Sequence, residues 1–178
     1  MTHPARLLAA VLFCVAQWPA MASAQAFDLQ GHRGARGLLP ENSLPGFAQA
    51  LSIGVTTLEL DIAITRDKVL LVAHDPTLNP DITRGPGGQF LAARGPAIVT
   101  LTAAEVDTYD VGRIKPDTAY AKTFAGQQPM DGLRVPKLKD VFALVKKSGN
   151  ETVRFAIETK ITPHAPGETV GPKNSRGP

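Results

Sequence analysis

The sequence predicts an α/β fold with a parallel sheet, and two observations carry that reading. Apolar runs suited to strands alternate with helical periodicity in the order strand–helix–strand–strand–helix–strand. Polar residues collect at or near the carboxyl ends of those strands, the edge where parallel α/β folds bind their ligands.

The elements follow in order. Residues 27–31 read as a short strand that delivers His32. Asn42 or Ser43 is placed to cap a helix with Pro45 in its first turn, where a missing N–H costs nothing. Phe47, Ala50 and Leu51 form its apolar face and Gly54 stops it. Residues 57–64 make a second strand in which Glu59 and Asp61, two apart, share one face with Leu60 opposed. Residues 69–73 are a continuous apolar run of the kind buried on both faces of parallel sheets, closed by His74-Asp75-Pro76. Residues 79–100, rich in Gly and Pro, read as a long loop, and Thr102 with Glu105 matches a capping box. Residues 110–136 read as irregular. Leu138, Val141, Phe142 and Val145 follow helical spacing up to Gly149, and residues 153–157 form a strand that runs out into Glu158-Thr159-Lys160. The chain has no internal repeat and no low-complexity tract.

The first 24 residues are set apart from this pattern. Arg6, the apolar run from Leu7 to Val15 and the small residues Ala22-Ser23-Ala24 read as a secretory signal peptide, too short for a membrane span. The expectation is an exported protein, periplasmic or secreted. Cys14, the sole cysteine, lies in the leader, so thiolate and disulfide chemistry are excluded from the mature part. Of the 19 Lys and Arg only Arg6 is lost with the leader, which leaves 18 against 16 acidic residues and no polybasic patch for nucleic acid. About 154 residues remain, enough for one real core but short of the roughly 250 of a complete (β/α)₈ barrel.

The chemistry lies in the polar clusters. Two carboxylates on one strand face, Glu59 and Asp61, repel unless a cation lies between them. Glu158 adds a third oxygen donor, and three carboxylates suit Ca²⁺ or Mg²⁺ better than zinc. Glu158 and Lys160, two apart, are equally suited to a mutual salt bridge. His32 and His74 are candidate proton carriers and Arg33 a candidate anion clamp. Each residue alone has an ordinary structural explanation, a hydrogen-bonded core histidine or a surface ion pair. Together they point to phosphoester chemistry.

At this level of detail the sequence resembles the glycerophosphodiester phosphodiesterases, metal-dependent (β/α)-barrel hydrolases. The resemblance rests on His32-Arg33-Gly34, Pro40-Glu41-Asn42-Ser43, Phe47, Gly54, Glu59-Leu60-Asp61, Thr65-Arg66-Asp67, His74-Asp75 and Glu158-Thr159-Lys160, in that order and spacing. It implies a TIM-type (β/α)₈ barrel, with Glu59, Asp61 and Glu158 holding one divalent cation, Ca²⁺ in preference to Mg²⁺. It implies further that His32 and His74 are the general acid and base, that Arg33 and Lys160 contact phosphate, and that Glu41 and Asn42 line or brace the site. The implied substrate is a small glycerophosphodiester, split into sn-glycerol 3-phosphate and an alcohol. No oligomeric state is implied. Ser43 stands where Thr is usual, and Lys68 where Gly is usual, so the turn at Lys68 is expected to differ in backbone.

The expected organisation is a leader at 1–24, the N-terminal portion of the barrel at 25–169, about four of its eight strands, and an unpatterned tail at 170–178. A half-barrel of this kind has two open edges. Two further readings stand beside the hydrolase: a non-catalytic half-barrel that binds cation and phosphate or pairs with another half, and a phospholipase-type barrel acting on a lysophospholipid headgroup.

Overall fold

The computed structural model describes residues 27–161 and 164–170; the expected leader, and the expected tail beyond Val170, lie outside them. In chain order the elements are β1 (Gln30–Gly31), α1 (Leu44–Ile53), β2 (Thr57–Ile64), β3 (Leu70–Val72), a 3₁₀ turn (Ile98–Thr100), α2 (Ala103–Val106), α3 (Ala119–Thr123), α4 (Leu138–Lys147) and β4 (Arg154–Thr159). Among the described residues no helix is long and apolar enough to cross a membrane.

β2 is the axis of the sheet. It pairs in parallel with β1 through Thr57 and Leu58, and in parallel with β4 from Thr57 to Ile62. β3 runs antiparallel to it, with Ile62 opposite Val72 and Ile64 opposite Leu70. Thr57 therefore has partners on both sides, as does Ile62, which puts β1 and β3 along one edge of β2 and β4 along the other. The run at 69–73 is thus a strand with buried Leu71 and Val72, as its composition predicts, but not a parallel one. The reason is length. A parallel crossover needs about a dozen residues, and only a tight turn after Ile64 separates the two strands.

Alternation along β2 divides the molecule into a packed face and a polar face. Leu58 and Leu60 are fully buried under α1 and α4, joined by Phe47, Ala50, Val55, Val72, Leu138, Val141 and Val145. Glu59 and Asp61 point the other way. Leu71 seeds a second cluster with Leu78, Ile98, Val106 and Val135, which anchors the long segment between β3 and α4. Arg84 holds that segment together by pairing with Asp110 at 2.5 Å and Asp131 at 2.6 Å.

Local chemistry explains the helix limits. Ser43, not Asn42, caps α1: its Oγ accepts from the Gly46 N–H at 3.1 Å and donates to the Pro40 carbonyl at 2.5 Å. Gly54 ends the helix at φ 89°, a conformation glycine adopts freely. The Thr102–Glu105 capping box is present at the start of α2. α4 carries Asp140 in its first turn and Lys146 and Lys147 in its last, both favourable to the helix dipole.

Three further expectations are corrected. β1 is shorter than 27–31, because Phe27 and Leu29 are exposed and have no core to face. α3 interrupts a stretch read as irregular; Thr118 caps it by accepting from the Ala121 N–H at 3.1 Å. Phe142 is not core but 41% exposed, its ring set edge-on to Phe155 at 4.9 Å.

The expected difference in backbone at Lys68 is not borne out: its φ of 66° is the left-handed conformation that glycine adopts freely and a side chain resists. Lys68→Gly is therefore expected to stabilise the fold by about 1 kcal/mol in urea denaturation, and Ser43→Ala to destabilise it by about 1 kcal/mol. A Lys68→Gly variant no more stable than its parent would show that the turn is unstrained.

Candidate functional site

The site forms where three segments meet on the polar face of the sheet: the turn after β1, the middle of β2 and the end of β4. Asp61, fully buried, lies at its centre. The Lys160 ammonium is 3.0 Å from its Oδ1, Arg33 Nε is 3.7 Å from its Oδ2, and Asn42 Nδ2 donates to Oδ2 at 3.3 Å. Lys160 also reaches Glu158 at 2.8 Å, so the salt bridge expected from their spacing is made and at the same time shared with Asp61. Burial alone would lower the Lys160 ammonium, but Glu158 and Asp61 hold it above its usual value.

The turn after β1 is bent so that its backbone serves the site. Arg33 at φ 54° and Asn42 at φ 50° both occupy the left-handed region, an uncommon place for such residues and one found at functional sites. Gly34 between them has φ 80°, and a Cβ there would come within 2.9 Å of the Gly46 backbone. The bend aims the Arg33 N–H at Glu59 Oε2, 2.7 Å away. The Arg33 guanidinium donates to both oxygens of Glu41, at 3.1 and 3.3 Å. Burial pushes the Glu41 carboxyl up, and Arg33 pulls it partly back.

The two histidines sit differently. His32 is half exposed, with Nε2 3.8 Å from Glu59, so it is not the buried core histidine its strand-end position allows. Partial burial and the neighbouring Arg36 push its imidazole below the usual value, against the pull of Glu59. His74 has Nδ1 3.0 Å from Asp75 Oδ1, and Asn79 Nδ2 donates to the other Asp75 oxygen at 2.7 Å. Burial would raise Asp75, yet these two hydrogen bonds hold its carboxyl below the ordinary range.

His32, Arg33, Glu41, Asn42, Glu59, Asp61, Glu158 and Lys160 are thus drawn together, and His74 with Asp75 lines one cleft with Glu41 and Asn42. Three were missed. Asn79 orients Asp75 from a loop with no strand to announce it. Arg36 faces the site from the same turn as Arg33, and its spacing of three was the available signal. Phe124, beside α3, carries the Arg36 guanidinium over its ring at 4.9 Å.

A sequence profile of the Glycerophosphoryl diester phosphodiesterase family matches residues 32–170, from the first site histidine past the last site lysine. The chain belongs to this family. A Silicibacter pomeroyi DSS-3 protein classed as a glycerophosphoryl diester phosphodiesterase, known from its crystal structure, superposes with a TM-score of 0.72 at 36% identity, over 76% of this chain and 46% of that one. The glycerophosphodiester phosphodiesterase of Caldanaerobacter subterraneus subsp. tengcongensis is 32% identical over 72% of this chain and 43% of its own length. Over 47 residues, 26% of this chain and 15% of that protein, the sequence is 45% identical to rat Lysophospholipase D GDPD1. The chain thus spans under half the length of these relatives. Its α/β sheet corresponds to part of the family's (β/α) barrel.

The family implies a metal, and the donor set fits one. Glu59, Asp61 and Glu158 each present an oxygen within 4.8 Å of the others. That spread matches oxygens arranged around calcium at about 2.3–2.6 Å. Buried Asp61 Oδ1 has the ammonium nearby but no aligned hydrogen-bond donor, so it retains coordinating capacity. Five carboxylates, Glu41, Glu59, Asp61, Asp75 and Glu158, face three cationic side chains, Arg33, Arg36 and Lys160, a deficit that one divalent cation corrects. Calcium is expected to raise the thermal midpoint followed by near-UV circular dichroism, by the equivalent of about 2.7 kcal/mol at a hundredfold excess over Kd. EDTA should reverse the shift, and Glu59→Gln should abolish it. A midpoint indifferent to calcium in the parent chain would exclude a metal at these carboxylates.

Proposed function

We propose that the chain is a metal-dependent phosphodiesterase that cleaves glycerophosphodiesters into sn-glycerol 3-phosphate and an alcohol, with calcium as the cation in preference to magnesium. The observation that carries this reading is the meeting of Glu59, Asp61 and Glu158 with Arg33 and Lys160, with His32 beside Glu59 and His74 lining one cleft with Glu41, inside the segment that matches the family.

The bound cation supplies charge neutralisation at the phosphoryl oxygens. Arg33 and Lys160 add directed positive charge from opposite sides of Asp61, and Glu41 fixes the plane of the Arg33 guanidinium. Asn42 braces Asp61 through its amide. His32, its imidazole pushed below the usual value by burial and Arg36, takes a proton from the attacking oxygen, that of water, or that of the glycerol 2-hydroxyl with water then opening the cyclic phosphate formed. His74 returns a proton to the departing alkoxide. The Asp75 carboxylate holds its Nδ1 side, which leaves Nε2 for that transfer. Export to the periplasm or the exterior is part of the same reading and rests on the leader sequence.

One observation favours a non-catalytic alternative. Among the described residues β4 pairs with β2 alone, and Ile157, Ile161 and Phe142 are exposed near it. A sheet with that face open supports binding of cation and phosphate more readily than turnover, alone or paired with a complementary half. The short likeness to a lysophospholipase D keeps a lysophospholipid headgroup as a substrate to compare.

With calcium, the chain is expected to release sn-glycerol 3-phosphate from glycerophosphocholine and to leave lysophosphatidylcholine intact. His74→Ala and Glu59→Ala should abolish release, and Asp75→Asn should lower kcat by about 10- to 100-fold with KM unchanged. Calcium binding without turnover would decide for the non-catalytic alternative, and an active His74→Ala would remove that residue from the mechanism.

A further inference from the structure

Arg33 and Lys160 are both committed to carboxylates of the site. Arg36, three residues beyond Arg33, is not. Among the described residues its guanidinium makes no ion pair and no hydrogen bond; its contact is the face of Phe124, 4.9 Å from the ring centroid. That contact is built from a distance of some ninety residues, and it is reinforced. Gln127 Nε2 donates to the Arg36 carbonyl at 2.7 Å, the Gln128 N–H donates to the Leu38 carbonyl at 2.8 Å, and Tyr120 packs against Phe124 with ring centroids 4.8 Å apart. Beside it a cleft of about 360 Å³ opens, lined by His32, Arg36, Leu38 and Phe124.

We propose that Arg36, held in place by Phe124, selects the alcohol side of the phosphodiester and favours alcohols that carry an anionic group, a carboxylate or a second phosphate. The proposal rests on the phosphodiesterase reading of the site. An unpaired guanidinium stacked on a ring keeps its donor edge free and little of its freedom left to lose, the arrangement suited to bidentate capture of a carboxylate or phosphate. His32, whose Nε2 is 3.8 Å from Glu59, also lines the cleft, so an alcohol group lying in it can stay attached to a phosphorus at His32. A quaternary ammonium in the same cleft meets like charge.

Glycerophosphoserine and glycerophosphoethanolamine differ by a single carboxylate and make the discriminating pair. Their affinities are measured by titration calorimetry with calcium in the His74→Ala background, which removes turnover. The serine diester is expected to bind about tenfold more tightly, the scale of one charge-assisted hydrogen-bonded contact. Arg36→Gln should erase the difference, Arg36→Lys should retain part of it, and Phe124→Ala should reduce it. Equal affinities in the parent overturn the proposal, as does a preference that survives Arg36→Gln. So does an equal weakening of both diesters by Arg36→Gln, which would move Arg36 to the scissile phosphate. Turnover by the unsubstituted chain judges the phosphodiesterase reading separately: a chain that shows the preference but no hydrolysis loses the enzyme and keeps the Arg36 site.

Discussion

A carboxylate with no exposed surface, Asp61, is the constraint around which this molecule is arranged. Removing one charge of that size from water costs several kcal/mol unless opposite charge and hydrogen bonds replace the solvent. The replacements come from three separate parts of the chain: Arg33 and Asn42 from the turn before α1, and Lys160 from the end of β4. Each must arrive within about 4 Å, so the turn, the central strand and the last strand cannot drift independently. The apolar packing of α1 and α4 on the opposite face of β2 makes that convergence affordable. It holds the strand still from behind while the charges gather in front.

The turn before α1 shows the same constraint at work on the backbone. Arg33 and Asn42 both adopt left-handed conformations that their side chains disfavour, and Gly34 fits only because it lacks a Cβ. The strain is offset by what the bend achieves: one N–H on Glu59, one guanidinium locked on Glu41, one amide on Asp61. Ser43 then starts α1 at once, so the distortion is confined to a dozen residues between two rigid elements.

What was legible in the sequence follows from how local each signal is. Strand alternation put Glu59 and Asp61 on one face, caps at Asn42 or Ser43 and at Thr102 marked two helix starts, and the periodicity of α4 gave its buried Leu138, Val141 and Val145 but wrongly added Phe142, all through contacts a few residues apart. The convergence of His32, Arg33, Glu41, Asn42 and Lys160 was legible only as a pattern of spacings resembling a family. The direction of β3 was misread because an apolar run looks the same in either orientation; the short turn before it was the deciding feature. α3 escaped notice because five residues carry too little periodicity. Arg36 and Phe124 escaped for the opposite reason, since nothing local links residues so far apart in the chain.

β2 is paired along both edges at Thr57, Leu58 and Ile62, whereas β1 contributes two residues and β4 is paired on one side among the described residues. Amide hydrogen exchange follows such differences, since edges open in small, cheap fluctuations and a doubly paired strand opens only with the whole domain. The strand that carries Glu59 and Asp61 is thus the last to come apart. The contact of Arg36 with Phe124 lies outside the sheet, between the turn after β1 and the end of α3. Stiffness is therefore graded across the molecule, greatest along the central strand and least at the sheet edges.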